Sequence, residues 1–142
     1  MGITRELAMT TATVTHSAPS RTVQIARWTL QSVIAAAFLA AGAAKLAGAQ
    51  PMVALFDQIG LGQWFRYVTG VVEITGAVLL VWPGKAAFGA ALLACTMAAA
   101  LLTHFALIGG NWGPAAGLFV LNLVILWLNR FQLGTALDRS RG

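Results

Sequence analysis

Three ionisable side chains interrupt long apolar runs of this sequence, and their types are those of acid–base chemistry. Lys45 lies in FLAAGAAKL, Glu73 lies in TGVVEITGAVLL, and His104 ends MAAALLTH. A carboxylate and an imidazole can take up and release protons, and an ammonium group can balance the charge. Ionisable groups are costly in hydrocarbon, and inside membrane segments they usually mark a functional site. These three residues are therefore the candidate catalytic residues.

Lys45 and Glu73 each follow a glycine by three residues, in the segments GAAK and GVVE. Residues three apart share a helix face, and glycine lets two helices approach closely. The spacing predicts that Gly42 and Gly70 allow a close helix crossing that brings the ammonium to the carboxylate. A functional pair and a purely structural pair both remain open, and a buried ion pair is in itself weak evidence for stability.

The composition of the chain indicates a lipid environment. The 142 residues are 58% hydrophobic and 9% charged, whereas soluble domains carry about 25% charged residues. The basic residues are scattered and have no stacking aromatics beside them, so nucleic acid is not an expected partner. The single cysteine, Cys95, forms no internal disulfide or CxxC pair, and two histidines with one cysteine favour no metal site.

Four apolar segments predict an all-α fold, an integral membrane four-helix bundle. A spanning helix needs about 20 residues, within a range of about 17–25. At 1.5 Å per residue the second segment reaches only about 24 Å, so it needs flanking residues or a thinner bilayer. The predicted spans are residues 25–47, 67–82, 86–108 and 113–128.

The four spans are predicted to form one transmembrane domain over residues 21–133. Residues 1–20 have no sustained period and predict a mobile polar tail, not a signal peptide. Residues 134–142 predict a short basic cytoplasmic tail.

The basic residues and the tryptophans predict the orientation of the bundle. With four spans, only Lys45 and Arg66 fall toward the outer side, so both termini are predicted to be cytoplasmic. All five tryptophans fall at predicted membrane boundaries, where this residue is favoured. The seven basic residues on the inner side are Arg5, Arg21, Arg27, Lys85, Arg130, Arg139 and Arg141.

The longest connection, between the first two spans, predicts a short amphipathic helix on the outer face. Its apolar residues have i, i+3, i+4, i+7 spacing, and glycines at 60 and 62 are predicted to end it. The apolar residues are Met52, Leu55, Phe56 and Ile59.

Helix rise places the polar residues at predicted depths. Lys45, Glu73 and His104 converge on the outer half of the bilayer, and Asn122 lies about 13 Å into the fourth span, near the midplane. Asn122 is a candidate cofactor-binding residue, although an asparagine at this depth also commonly joins two helices. Lys45 alone could extend to the interface, and His104 alone could bind a backbone carbonyl.

These residues and their order resemble the DoxX-like family of small bacterial membrane proteins. The similarity covers roughly residues 27–128 and includes FLAAGAAKL, TGVVEITGAVLLVWP and MAAALLTH. It implies a four-helix bundle in the bacterial cytoplasmic membrane, with Lys45, Glu73 and His104 as the site. Some relatives are linked to quinone-coupled thiosulfate oxidation or to membrane thiol and oxidative-stress complexes.

The resemblance implies an accessory or quinone-interacting component of a membrane redox or oxidative-stress system. A quinone is then the candidate cofactor, and the lipid bilayer and a redox enzyme are the candidate partners. An alternative is a small membrane enzyme in which Glu73 and His104 are acid and base for a lipophilic substrate. A purely structural or transport bundle is a third hypothesis. Gly113 and Gly117 form a GxxxG that would suit oligomerisation.

Overall fold

The computed structural model describes residues 20–133, and these residues form helices joined by short turns. No strand occurs within that range, which confirms the predicted all-α class. The predicted cytoplasmic tail and residues 1–19 of the predicted polar tail lie outside the described residues. The helices are α1 (Arg21–Leu46), α2 (Gln50–Ile59), α3 (Gln63–Val81), α4 (Ala86–Thr103) with a π-helical turn (His104–Ile108), and α5 (Gly113–Leu128).

Three helical segments of the described chain are long and apolar enough to cross a membrane: Arg21–Leu46, Gln63–Val81 and Ala86–Ile108. The short predicted second span gains length because α3 already begins at Gln63. Its 19 residues reach about 28 Å, close to the ~30 Å of a hydrocarbon core. Helix α5 is apolar but has only 16 residues, so the fourth span and the orientation stay predictions.

The outward faces of these helices carry large apolar side chains. Val33, Leu102 and Trp127 are 62%, 69% and 62% exposed, on three different helices. Apolar surface of this extent is unusual on a soluble protein, whereas it is ordinary where a helix faces lipid. The helices therefore have the surface of a membrane protein.

Helix α3 lies between α1 and α4, and glycines set both contacts. A Cβ atom on Gly42 of α1 would lie 2.9 Å from the carbonyl oxygen of Gly70 on α3. On the other side of α3, a Cβ atom on Gly89 of α4 would lie 2.7 Å from the carbonyl oxygen of Gly76. The helix backbones therefore touch at both crossings, as the predicted glycine contact between α1 and α3 requires.

The hydrophobic core is shared by the four longer helices. Phe38, Leu80, Leu93 and Ile125 are all fully buried, and one comes from each of α1, α3, α4 and α5. Helix α5 packs on α4. This core fixes the relative positions of the helices that carry the polar residues.

The short helix predicted between the first two spans is present as α2. It ends at Gly60, whose φ of 77° is in the left-handed region that favours glycine. Its apolar face turns toward the bundle, where Phe56 is buried and its ring meets that of Phe65 edge-on at 5.8 Å. Helix α2 therefore covers part of the bundle.

Candidate functional site

Lys45 and Glu73 form the predicted ion pair. The Lys45 ammonium, in the last turn of α1, donates a hydrogen bond to Glu73 Oε2 at 2.8 Å. The lysine side chain is 12% exposed and the glutamate side chain is 3% exposed. About one turn away, Gly42 and Gly70 let the two backbones meet. The glycine contact is what allows a short carboxylate side chain on α3 to reach α1.

Both members of the pair keep unused hydrogen-bonding capacity. Glu73 Oε1 accepts no hydrogen bond from any described residue, and the ammonium group of Lys45 donates only to Oε2 among them. An ammonium group has three donors, and an ionised carboxylate oxygen accepts readily. The pair can therefore bind a further polar group without giving up its own contact.

A cavity of about 290 Å³ adjoins this pair. Its wall is formed by all five helices and the π-helical turn, and most of the side chains are apolar. Representative apolar lining residues are Phe38, Phe56, Met97, Ala100 and Leu118. The polar lining includes Lys45, Glu73 and His104, so the three candidate residues face one space.

The hydroxyl groups in the cavity wall are already occupied. Thr69, Thr96 and Thr103 each donate to a backbone carbonyl of their own helix, at 3.0, 2.9 and 2.9 Å. Such bonds spare a hydroxyl group the cost of facing an apolar space. The remaining hydrogen-bonding capacity of the wall therefore lies on the ion pair, His104 and the amide of Asn111, whose Oδ1 accepts from the N–H of Gly113.

His104 begins the π-helical turn and is bonded to Gly109 through both its backbone and its side chain. Its backbone carbonyl accepts from the N–H of Gly109 at 2.7 Å, and its Nδ1 lies 2.8 Å from the Gly109 carbonyl oxygen. A carbonyl oxygen can only accept, so Nδ1 carries the proton and neutral His104 has a free acceptor at Nε2. Gly109 has φ 62°, which favours glycine at the end of this turn. Single π-helical turns are frequent at functional sites.

His104 shares the cavity with the ion pair without touching it. Within the described residues, no hydrogen bond joins His104 to Lys45 or Glu73. The sequence also allowed His104 to bind a backbone carbonyl. In the structure it does so through Nδ1, which leaves Nε2 facing no described partner. Three polar groups thus line one apolar space, and a bound molecule could bridge them.

Asn122, the predicted cofactor-binding residue, lies apart from this group. It is completely buried in α5, donates from Nδ2 to the carbonyl of Leu118 at 2.8 Å, and does not line the cavity. Leu118, one turn earlier, does line it. The Oδ1 atom of Asn122 has no hydrogen-bond partner among residues 20–133. The structure therefore does not bring Asn122 together with the other three residues.

Arg66 also belongs to the site, although its sequence position indicated only the orientation of the bundle. It is 4% exposed, donates from Nη1 to the backbone carbonyl of Lys45, and donates from Nε to Gln63 Oε1 at 2.7 Å. The spacing could have placed Arg66 at the site, because Arg66, Gly70 and Glu73 stand at i, i+4 and i+7 on one helix face.

The single thiol does not line the cavity. Cys95 is a free cysteine on an exposed part of α4. Among residues 20–133, no group of three or more histidine, cysteine, aspartate or glutamate side chains is placed to hold a metal ion.

Comparison with known proteins places the chain in a family. No curated protein and no solved structure matches it. The model of the DoxX-like family matches residues 29–129, which is more than half of the chain and includes the ion pair and His104. The chain belongs to the DoxX-like family, as its motifs suggested.

Proposed function

We propose that the protein binds a lipophilic small molecule in this cavity, as an accessory component of a redox or oxidative-stress system of the bacterial cytoplasmic membrane. In this proposal α5 is the fourth span and both termini are cytoplasmic. The ligand is a quinone-type molecule with a polar head and an apolar tail. Glu73 and His104 hydrogen-bond to the head and exchange protons with it, and Lys45 keeps the site neutral.

The observation that carries the proposal is an apolar cavity whose few uncommitted polar atoms include those of the ion pair and His104. Ligand pockets typically have a volume of about 300–1,000 Å³, mostly apolar walls and a few placed polar groups. At about 290 Å³ this cavity lies just below that range, so it suits a head group and leaves the tail in lipid.

The charges favour a neutral head group. The Lys45 ammonium and the Glu73 carboxylate are 2.8 Å apart, so their charges cancel for a ligand in the cavity. An anionic ligand would compete with Glu73 for Lys45 and leave the carboxylate unpaired in an apolar place, which is costly. A neutral molecule with hydrogen-bonding oxygens has no such cost.

The hydrogen-bonding atoms favour the reduced, hydroxyl-bearing form of the head. Glu73 Oε1 and His104 Nε2 are acceptors, and the Lys45 ammonium is a donor. A quinone carbonyl can only accept, so among these three groups it finds one partner, Lys45. A quinol hydroxyl can donate as well, so a quinol can also use the two acceptors. Unpaired buried acceptors are costly, which makes this difference a source of selectivity.

A partner enzyme would supply or remove the electrons in this proposal. Conversion of a quinol to a quinone releases two electrons and two protons. Thiol–disulfide exchange needs a second thiol to resolve the mixed disulfide, and the chain has one cysteine. A redox enzyme of the same membrane is therefore the proposed electron partner, and Glu73 and His104 take up the protons.

A second candidate function is acid–base catalysis on a lipophilic substrate by the protein alone. It is favoured by the bond from His104 Nδ1 to Gly109, because this bond leaves Nε2 free to act as a base. Glu73 would be the second proton-transfer group. Isomerisation or hydrolysis of a lipophilic substrate by the purified protein would support this function over the first.

The proposed function is tested by calorimetric titration of the purified protein with decylubiquinol, a short-tailed quinol, under anaerobic conditions. Glu73→Gln should weaken binding about tenfold, the effect of losing one charge-assisted hydrogen bond. Thr75→Ala is the matched control, since Thr75 is two residues away on an exposed face of α3 and its hydroxyl donates to the Val71 carbonyl of its own helix. No measurable binding, or equal affinity in all three proteins, would contradict the proposal.

A further inference from the structure

Helix α2 covers the cavity and is joined to its neighbours by glycine-containing turns. Leu55, Phe56 and Ile59 of α2 all line the cavity, and the helix packs on α3 and on the π-helical turn. The flanking residues Gly48 and Gly60 have φ values of 71° and 77°. Backbone changes at such element ends can swing a short helix without disturbing the elements beside it.

A chain of polar bonds connects this helix to α3. Gln63, the first residue of α3, donates from Nε2 to the carbonyl of Val53 at 3.1 Å and to Asp57 Oδ1 at 2.6 Å. Its Oε1 accepts from Arg66 Nε at 2.7 Å. One glutamine side chain thus holds α2 on one side and Arg66 on the other.

Arg66 extends the chain to the end of α1. Its Nη1 donates to the backbone carbonyl of Lys45, at the negative end of the α1 dipole. Its guanidinium carbon also lies 4.3 Å from the centre of the Tyr67 ring. The buried cation is therefore stabilised by a carbonyl, an amide oxygen and an aromatic ring, and it fixes the backbone of the residue that pairs with Glu73.

We propose that Gln63 and Arg66 are positioning residues that hold α2 closed over the cavity, and that a ligand enters when the bonds from Gln63 to α2 open. The identity of that ligand rests on the proposed function, whereas the opening of α2 does not. Arg66 keeps Lys45 in place while α2 moves, so the ion pair is preserved in the open state.

The relative strength of the contacts makes α2 the element that opens. Two hydrogen bonds from one side chain tie α2 to α3, and the net contribution of each is modest. The α1–α3 contact is built from touching backbones at Gly42 and Gly70. Elements with few buried contacts open locally long before the whole fold does. The apolar contact between Phe56 and Phe65 then returns α2 to the closed position.

The test measures the rate at which a water-soluble methanethiosulfonate reagent modifies a cysteine introduced into the cavity. All variants also carry Cys95→Ser, so that the native thiol does not react. Ala41→Cys places the thiol in the cavity wall on α1. Gln63→Glu keeps an oxygen for Arg66 but removes both donor bonds to α2. It should raise the rate at position 41 about tenfold, since one charge-assisted and one neutral bond are lost.

Two controls separate opening of α2 from general loosening. Ala35→Cys lies on the same helix in the buried core, outside the cavity, and its rate should not change. Asp57→Asn keeps an acceptor for Gln63 but removes its charge, so it should raise the rate at position 41 by less than Gln63→Glu does and leave the rate at position 35 unchanged. If Gln63→Glu does not fold, Asp57→Ala removes the outer bond alone, and a smaller rise at position 41 is expected.

The labelling and binding experiments test the opening of α2 and the proposed function separately. An unchanged rate at position 41 in Gln63→Glu, or equal rises at positions 41 and 35, would overturn the proposal that Gln63 holds α2 closed over the cavity. The labelling needs no ligand, so a failure of decylubiquinol to bind would contradict only the proposed function. Where decylubiquinol binds, Gln63→Glu should also speed its dissociation about tenfold, which a purely structural role of Gln63 would not require.

Discussion

Arg66 donates a hydrogen bond to the backbone carbonyl of Lys45, the residue whose ammonium group is paired with Glu73. Lys45 is thus bound by α3 through both its backbone and its side chain. Arg66 and Glu73 stand seven residues apart on one face of α3, with Gly70 between them. The helix crossing at Gly70 and the two polar contacts therefore form one unit that positions the ammonium group at the cavity.

The first prediction concerns the stability of the ion pair. Lys45→Met and Glu73→Gln should each lower the free energy of unfolding by about 3–5 kcal/mol, because each leaves a buried group unpaired. The double variant should recover part of that loss, since no charge then remains unpaired. Thermal unfolding in detergent measures all three. If the double variant lost as much free energy of unfolding as the two single variants together, the two residues would not be coupled.

A second prediction concerns the crossing of α1 and α3. Gly42→Ala should destabilise the protein by about 1–3 kcal/mol, because the new Cβ atom would lie 2.9 Å from the carbonyl oxygen of Gly70 and force the helices apart. Gly117→Ala is the control, because in the described part of the chain a Cβ placed there would have no neighbour within 4 Å beyond the adjacent residues and backbone of its own helix. Equal unfolding temperatures for the two variants would contradict a close backbone contact at Gly42.

Orientation in the membrane is a third prediction. In a Cys95→Ser background, cysteines at Gln58 and Asn111 should react with an impermeant thiol reagent on intact cells. A cysteine at Thr135, in the predicted cytoplasmic tail, should react only after the membrane is opened. The prediction follows from the seven basic residues assigned to the inner side. Labelling of a cysteine at Thr135 on intact cells would show that the orientation is the reverse of the predicted one.

The fourth prediction is that the thiol is dispensable. Cys95 lies on an exposed part of α4, away from the cavity wall. Cys95→Ser should therefore leave the affinity for decylubiquinol unchanged, with a change in unfolding temperature of a few degrees at most. Loss of binding in this variant, with the protein still inserted and folded, would mean that the thiol takes part in the site.

The sequence predicted those parts of the site that depend on spacing within a helix. Gly42 and Lys45, like Gly70 and Glu73, are three residues apart, and this was enough to infer both the crossing and the ion pair. The apolar spacing in α2 and its end at Gly60 were also readable, because both depend on neighbours in the chain.

The missed parts depend on groups brought together by tertiary structure. The π-helical turn follows an apolar run that looks like continuing α-helix, and it forms where His104 bonds the carbonyl of Gly109. Arg66 was taken as a marker of orientation, because a rule that counts arginines assumes that they face water. The cavity itself requires α2 to fold back over the bundle, which no local pattern specifies.

The most direct test of the central claim compares the affinities of the protein for decylubiquinol and decylubiquinone, measured by calorimetry in the same detergent. The free acceptors of Glu73 and His104 predict tighter binding of the quinol by about tenfold, the value of one well-placed hydrogen bond. His104→Phe keeps an aromatic ring without its nitrogen atoms, and it should reduce that preference while the protein still binds the quinone. Equal affinities for the two forms, or a preference unaffected by His104→Phe, would contradict the account.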